Sequence, residues 1–173
     1  MGISYRVGQF LRSVFPHIST DERQLVTHFL PSALTDLFFN MSLSDQVHSL
    51  RVLQDLLQDG QDDPDLLAAA LLHDVGKSLH PLNPLQRVVV VLANRLAPRW
   101  VIRMGQPAGV RGLRKAMSTA VQHPRWGAEL VSQHGGSARL VGLIRYHQEP
   151  ANASSLADLK PYITLLQRAD NRN

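Results

Sequence analysis

The stretch Leu66-Leu67-Ala68-Ala69-Ala70-Leu71-Leu72-His73-Asp74-Val75-Gly76-Lys77 constrains this chain more than any other. It opens with Ala and Leu only, a strong helix-forming run that is apolar on every face. A helix without a polar side belongs inside a protein, so the rest of the chain must wrap around it. Yet the run ends in an imidazole and a carboxylate, His73 and Asp74. Burying a carboxylate costs several kcal/mol unless a cation or good hydrogen bonds compensate it. A metal ion is the simplest compensation, because neutral imidazole and carboxylate are both natural ligands. A buried His–Asp pair without metal is the alternative.

Helical signals run along the whole chain. Ile3, Val7, Phe10, Leu11 and Phe15 have the spacing of an amphipathic stripe, which Pro16 ends. Ser19 and Glu22 form a capping box opening a short helix to Leu30. Leu34, Leu37, Phe38 and Met41 give another apolar face. Ser44-Asp45 is expected to cap a helix over residues 45–58, with Val47, Leu50, Val52, Leu53, Leu56 and Leu57 turned to the core. Asp63 as N-cap and Pro64 at N1 start the central helix, and Gly76 marks its end. Asn83-Pro84 opens a helix through four consecutive valines to Leu96. No partner strand is in sight, and Leu92 and Leu96 continue at helical spacing. Pro98 stops it. Residues 105–112 read as a glycine-rich loop, a connector or a lid. A helix over 113–121 follows, then a second in which Pro124 at N1 places His123 at the N-cap. Residues 161–169 form the last helix.

The length suits one domain with a single core, and the 44% apolar and 18% charged composition is that of a soluble globular chain. There is no cysteine, which excludes disulfides, thiolate metal sites and cysteine nucleophiles, and suits a reducing cytoplasm. No apolar run approaches the roughly 20 residues that span a bilayer. No secretory leader is expected either, and no membrane partner. The net charge is +4, but its distribution is one-sided: between Val75 and Ala128 lie nine Lys and Arg residues and no acid. Such a block is either a solvated basic face or a lure for an anionic substrate or nucleic acid.

Ala-Leu-Leu-His-Asp-Val-Gly-Lys resembles the signature of the HD-domain metal-dependent phosphohydrolases, an all-helical superfamily. The resemblance spans residues 43–170 and implies an all-α, single-domain HD-type helical bundle. The division it suggests is residues 1–41 as N-terminal helices packed on an HD domain of residues 42–173. In that family an earlier histidine, one helix before the doublet, is the first metal ligand, and His48 stands there. The closing aspartate of the family falls on Asp170. His123-Pro124-Arg125-Trp126-Gly127-Ala128-Glu129-Leu130 is similar to a motif of the subgroup containing cyclic-dinucleotide phosphodiesterases (HD-GYP), where that histidine is a ligand. The segment from Val141 to Glu149 resembles the same subgroup's Ile-x-x-His-His-Glu, with His147 as the matching histidine. Gln148 replaces the second histidine, and the Gly-Tyr-Pro element after Glu149 is absent, so cyclic di-GMP specificity is not implied. His134, beside Gly135-Gly136, reads as a surface residue.

The resemblance thus implies a metal site of His48, His73, Asp74 and Asp170, with His123 and His147 available to a second ion bridged by Asp74. A sulfur-free, histidine-rich set favours Mn, Fe, Ni or Zn over calcium, with Mg suited to the carboxylate-rich side. One or two ions would activate water and stabilise charge at phosphorus. Asp74 and Lys77 are the expected catalytic residues, Lys77 as a point charge on a phosphate oxygen. A helix-terminal lysine offsetting the dipole is its plain alternative. The expected activity is hydrolysis of a small anionic phosphomonoester or phosphodiester, a nucleotide above all. An inactive HD-fold signalling or scaffold module is the first rival. A nucleic-acid-binding helical protein is the second, and sparse aromatics argue against it.

Overall fold

In the computed structural model, residues 17–106, 112–149 and 157–173 are described. The expected N-terminal stripe at residues 3–15 lies outside them, as does most of the glycine-rich loop. The described residues are helical, with no strand among them. Helix α1 (Thr20–Phe29) starts on the capping box read from sequence: Ser19 Oγ accepts from the Glu22 amide, and the Glu22 carboxylate accepts from the Ser19 amide. Helix α2 (Ser32–Phe39) follows after Pro31.

Helix α3 (Leu43–Gln58) begins earlier than expected, because Ser42 and not the Ser44-Asp45 pair is its N-cap. Ser42 Oγ accepts from the Asp45 amide at 3.3 Å and donates to the Asp45 carboxylate at 2.6 Å. Asp45 therefore sits at the third helical position, where its charge still complements the helix N-terminus. Helix α4 (Pro64–Leu72) has Asp63 as N-cap, as read, and all of Leu66–Leu72 is buried. It is the axis of the fold: α1, α2 and α3 pack on it, as do the later helices α8 (Ala138–Tyr146) and α9 (Lys160–Asp170). Each fully buried leucine contributes about 2 kcal/mol of apolar burial.

The end of α4 differs from expectation. The helix stops at Leu72, His73 takes the C-cap, and Val75–Leu79 form a 3-10 turn. Gly76 is not a left-handed terminator, since its φ is not positive. It is glycine because the turn lies directly on helix α7 (Gly112–Gln133): a Cβ there would collide with the His123 carbonyl and come within 2.6 Å of the Gly127 amide. Gly127 reciprocates, its own would-be Cβ lying 3.1 Å from the Gly76 nitrogen. Gly76→Ala should therefore destabilise the protein by about 3 kcal/mol, the upper end of overpacking costs. Thermal unfolding should show a drop in Tm of roughly 10 °C.

Helix α7 is a second correction. Residues 113–121 and the segment after Pro124 form one continuous helix, with Pro124 inside it. His123 is therefore not an N-cap but an interior residue, 1% exposed. An interior proline forfeits a backbone hydrogen bond and costs about 3 kcal/mol. Packing against the 3-10 turn, α8 and the helices described next outweighs that cost.

The four valines lie in helix α5 (Pro84–Leu96), capped by Asn83 with Gln86 completing a capping box. Pro98 does stop α5, but it also starts helix α6 (Pro98–Gly105), which the sequence reading missed. A proline at N1 terminates one helix and opens the next with the same fixed φ. Helices α5 and α6 sit on α7 through a small separate core of Val90, Val101, Ala116 and Met117.

Candidate metal centre

Five elements converge at one place. His48 comes from the middle of α3, His73 and Asp74 from the end of α4, His123 from α7, His147 from the C-cap of α8, and Asp170 from the last residue of α9. All six residues singled out in the sequence are brought together. His48 Nε2 lies 2.8 Å from Asp170 Oδ1. His73 Nε2 is 3.6 Å from both Asp170 Oδ1 and Asp74 Oδ2, and His123 Nε2 is 3.1 Å from Asp74 Oδ1. The rings form a chain, with centroids 5.4 Å apart for His48–His73 and 5.3 Å for both His73–His147 and His123–His147.

The imidazoles are oriented from behind. His73 Nδ1 donates to the Ala70 carbonyl at 3.0 Å, His123 Nδ1 to Thr119 at 2.9 Å and His147 Nδ1 to Ile144 at 2.7 Å. A carbonyl can only accept, so these contacts place a proton on Nδ1, and in the neutral ring Nε2 is then the lone pair facing inwards. His73 Nε2 and His147 Nε2 are buried without any hydrogen-bond partner. Two orphaned, buried nitrogen lone pairs beside two carboxylates are an expensive arrangement on their own. A divalent cation removes that cost, and the residues fit one. Ligand atoms fall into two groups, each within 4.8 Å: His48, His73 and Asp170, and Asp74, His123 and His147. Asp74 faces both, with Oδ2 towards His73 and Oδ1 towards His123.

The electrostatics also ask for a cation. Burial opposes charge on Asp74, but Lys77, His73 and His123 outweigh it and hold the carboxyl well below the usual range. Burial likewise opposes charge on Asp170, which His48 and His73 nonetheless push far down. His73 is held above its ordinary value by Asp74 and Asp170 despite its burial. Burial, with His73 and His123 nearby, lowers His147 to about 3, so it stays neutral with its lone pair free.

Residues outside the motif place the ligands. Asp170 lies near the end of the sequence, yet it is not on a frayed tail: Arg172 bridges Asp55 of α3 and Asp59 at that helix's C-cap, at 2.8 Å each. The helix carrying Asp170 is thereby tied to the helix carrying His48. Gln167 Nε2 donates to the His147 and Glu149 carbonyls at 2.8 Å, fixing the end of α8. Nothing in the sequence singled out these partners, since a polar Arg or Gln near a terminus carries no distinguishing pattern. His134 is exposed, as read.

Beside Asp74 opens a cavity of about 240 Å³, lined by Lys77, Arg87, Asp45, Thr119, His123 and Gln148 among others. Lys77 donates to Asp74 Oδ2, and Gln148 Nε2 is 3.4 Å from His123 Nε2. Arg87, counted in the sequence only as part of the basic block, makes a two-pronged pair with Asp45 at 2.9 Å and reaches Ser42 Oγ at 2.9 Å. That fork holds α5 as a wall of the cavity. Arg87→Leu leaves the buried Asp45 with Ser42 alone and should cost about 2 kcal/mol, between the values for exposed and buried pairs. Denaturant titration would show it as a lowered midpoint at unchanged slope.

An all-helical bundle whose buried histidines and carboxylates converge next to a cation-lined cavity defines a class of candidate metalloproteins. The HD domain family profile matches residues 46–172, and the chain belongs to the HD domain family. No curated protein and no solved structure matches it.

Proposed function

We propose that this chain is a metal-dependent phosphohydrolase that cleaves a phosphomonoester or phosphodiester of a nucleotide. The observation that carries this reading is the pair of three-residue donor groups, with Asp74 in one and turned towards His73 of the other, beside a cavity lined by His123 and Lys77. His48, His73 and Asp170 would hold one divalent ion and Asp74, His123 and His147 a second, Mn, Fe, Ni or Zn by donor type, or Mg. Such ions lower the pKa of a water and offset charge at a phosphoryl oxygen.

The protein residues do the remaining work. Asp74 serves both donor groups and keeps its charge against burial because Lys77, His73 and His123 surround it. Lys77 Nζ, at the cavity wall, offers a positive point charge to a phosphate oxygen. Gln148, where the related motif has histidine, offers an amide to a polar substrate group beside His123. The buried ring chain keeps bulk water from the inner side of the site. Residues 1–41 are in this reading an N-terminal addition to an HD domain of residues 42–173, and a cysteine-free chain suits the cytoplasm.

The test is phosphate release from a panel of nucleoside monophosphates, cyclic nucleotides and dinucleotides with added Mn, comparing wild type with His73→Ala. Turnover of at least one nucleotide, lost in the variant, supports the reading. No turnover of any phosphoester by the metal-loaded protein contradicts it.

A further inference from the structure

We propose that the outer face of the α5–α6 hairpin docks on an anionic lipid surface. The inner side of α5 is accounted for, with Val90 in the small core and Ala93 against it. On the opposite side Leu85, Val88, Leu92 and Leu96 recur at helical spacing and are 73%, 55%, 51% and 79% exposed. Single exposed leucines are ordinary, but a continuous aliphatic stripe on a water-facing helix is not. Helix α6 continues the pattern: exposed Trp100 and Ile102 alternate with exposed Arg99 and Arg103.

Charge identifies the occupant. Between Val75 and Ala128 no acid is present. Lys77, Arg87 and Arg125 are paired with carboxylates from elsewhere or on the far rim, at Asp74, Asp45 and Glu129. Among the described residues Arg95, Arg99, Arg103, Arg114 and Lys115 form no ion pair. An aliphatic stripe bordered by unpaired arginines suits the interface of an anionic bilayer, where the stripe enters the acyl boundary and the cations meet headgroups. No described helix is long and apolar enough to cross a membrane, and adsorption in the membrane plane needs none. A second copy laid on this face would set like charges against each other. Nucleic acid would leave the aliphatic stripe in water and finds only Trp100 to stack on.

Flotation with vesicles tests this without reference to turnover, so it stands or falls separately from the hydrolase reading. The wild-type chain should float with vesicles of equal parts phosphatidylglycerol and phosphatidylcholine, and stay behind with phosphatidylcholine alone. Arg99→Ala with Arg103→Ala should weaken partitioning about thirtyfold, at about 1 kcal/mol per arginine. Leu92→Ser with Leu96→Ser should weaken it at least as much. All four positions are exposed, so unchanged thermal unfolding should show that the fold is kept. A wild type that ignores anionic vesicles, or variants that float as it does, would overturn the proposal. So would a dimer in sedimentation that Leu92→Ser dissolves, or salt-sensitive binding to an oligonucleotide in place of vesicles.

Discussion

Asp74→Ala is expected to lower turnover of a nucleotide or model phosphodiester by roughly a thousandfold or more. Correctly placed cations contribute several kcal/mol of charge stabilisation during phosphoryl transfer, and each 1.36 kcal/mol is a tenfold change. Asp74 belongs to one donor group and touches the other: its Oδ1 reaches towards His123 and its Oδ2 towards His73, and Lys77 closes on it from the cavity. Removing it separates the groups and frees Lys77 at the same time. Stability should fall as well, because the Lys77 ammonium and the His123 ring lose their carboxylate partner, so turnover is compared at a temperature where the unfolding curves show each protein folded. Asp74→Asn keeps the volume and should fail in the same way, which separates loss of charge from loss of packing. The measurement is kcat with added Mn for the three proteins, beside their unfolding curves.

The second large effect is at Asp170. Asp170→Asn should lose more activity than Lys77→Ala, by about tenfold, because the two residues do different things. Asp170 is the sole carboxylate of its donor group and holds His48 at 2.8 Å. An amide in its place is a weaker ligand and carries no charge, so bound metal should fall along with turnover. Lys77 belongs to no donor group, so Lys77→Ala should retain metal and lose about a hundredfold in kcat, the usual loss for one oxyanion-stabilising group. Metal content and kcat measured on both variants distinguish the roles. Equal loss of metal in both would mean that Lys77 supports the donor groups rather than the substrate.

Much of this was legible in the sequence because the decisive signals are local. A Leu/Ala run closed by His-Asp places a buried polar pair at the end of a core helix, and Asp63-Pro64 and Ser19 with Glu22 mark helix starts through short-range hydrogen bonds. The errors have local causes too. Ser42 and Ser44-Asp45 are both acceptable caps, and in the structure Arg87, far away in sequence, bonds Ser42 and Asp45 together in the arrangement in which Ser42 is the cap. Pro124 reads as a helix start, yet tertiary packing of α7 absorbs it in mid-helix. Gly76 reads as a C-terminal signal, but its function is close approach to His123 and Gly127, a contact between distant segments. The positioning residues Gln167 and Arg172 were invisible for the same reason. Their significance depends on which helix they meet, not on their neighbours in the chain.

The most direct measurement is anomalous diffraction from crystals soaked in Mn, recorded near the metal absorption edge. The expected result is a peak within about 2.3 Å of His73 Nε2 and a carboxylate oxygen of Asp170, with a second, where two ions bind, between Asp74, His123 and His147. Density for manganese only at other positions, in protein that still hydrolyses its substrate, would contradict the assignment of these six residues as the metal centre.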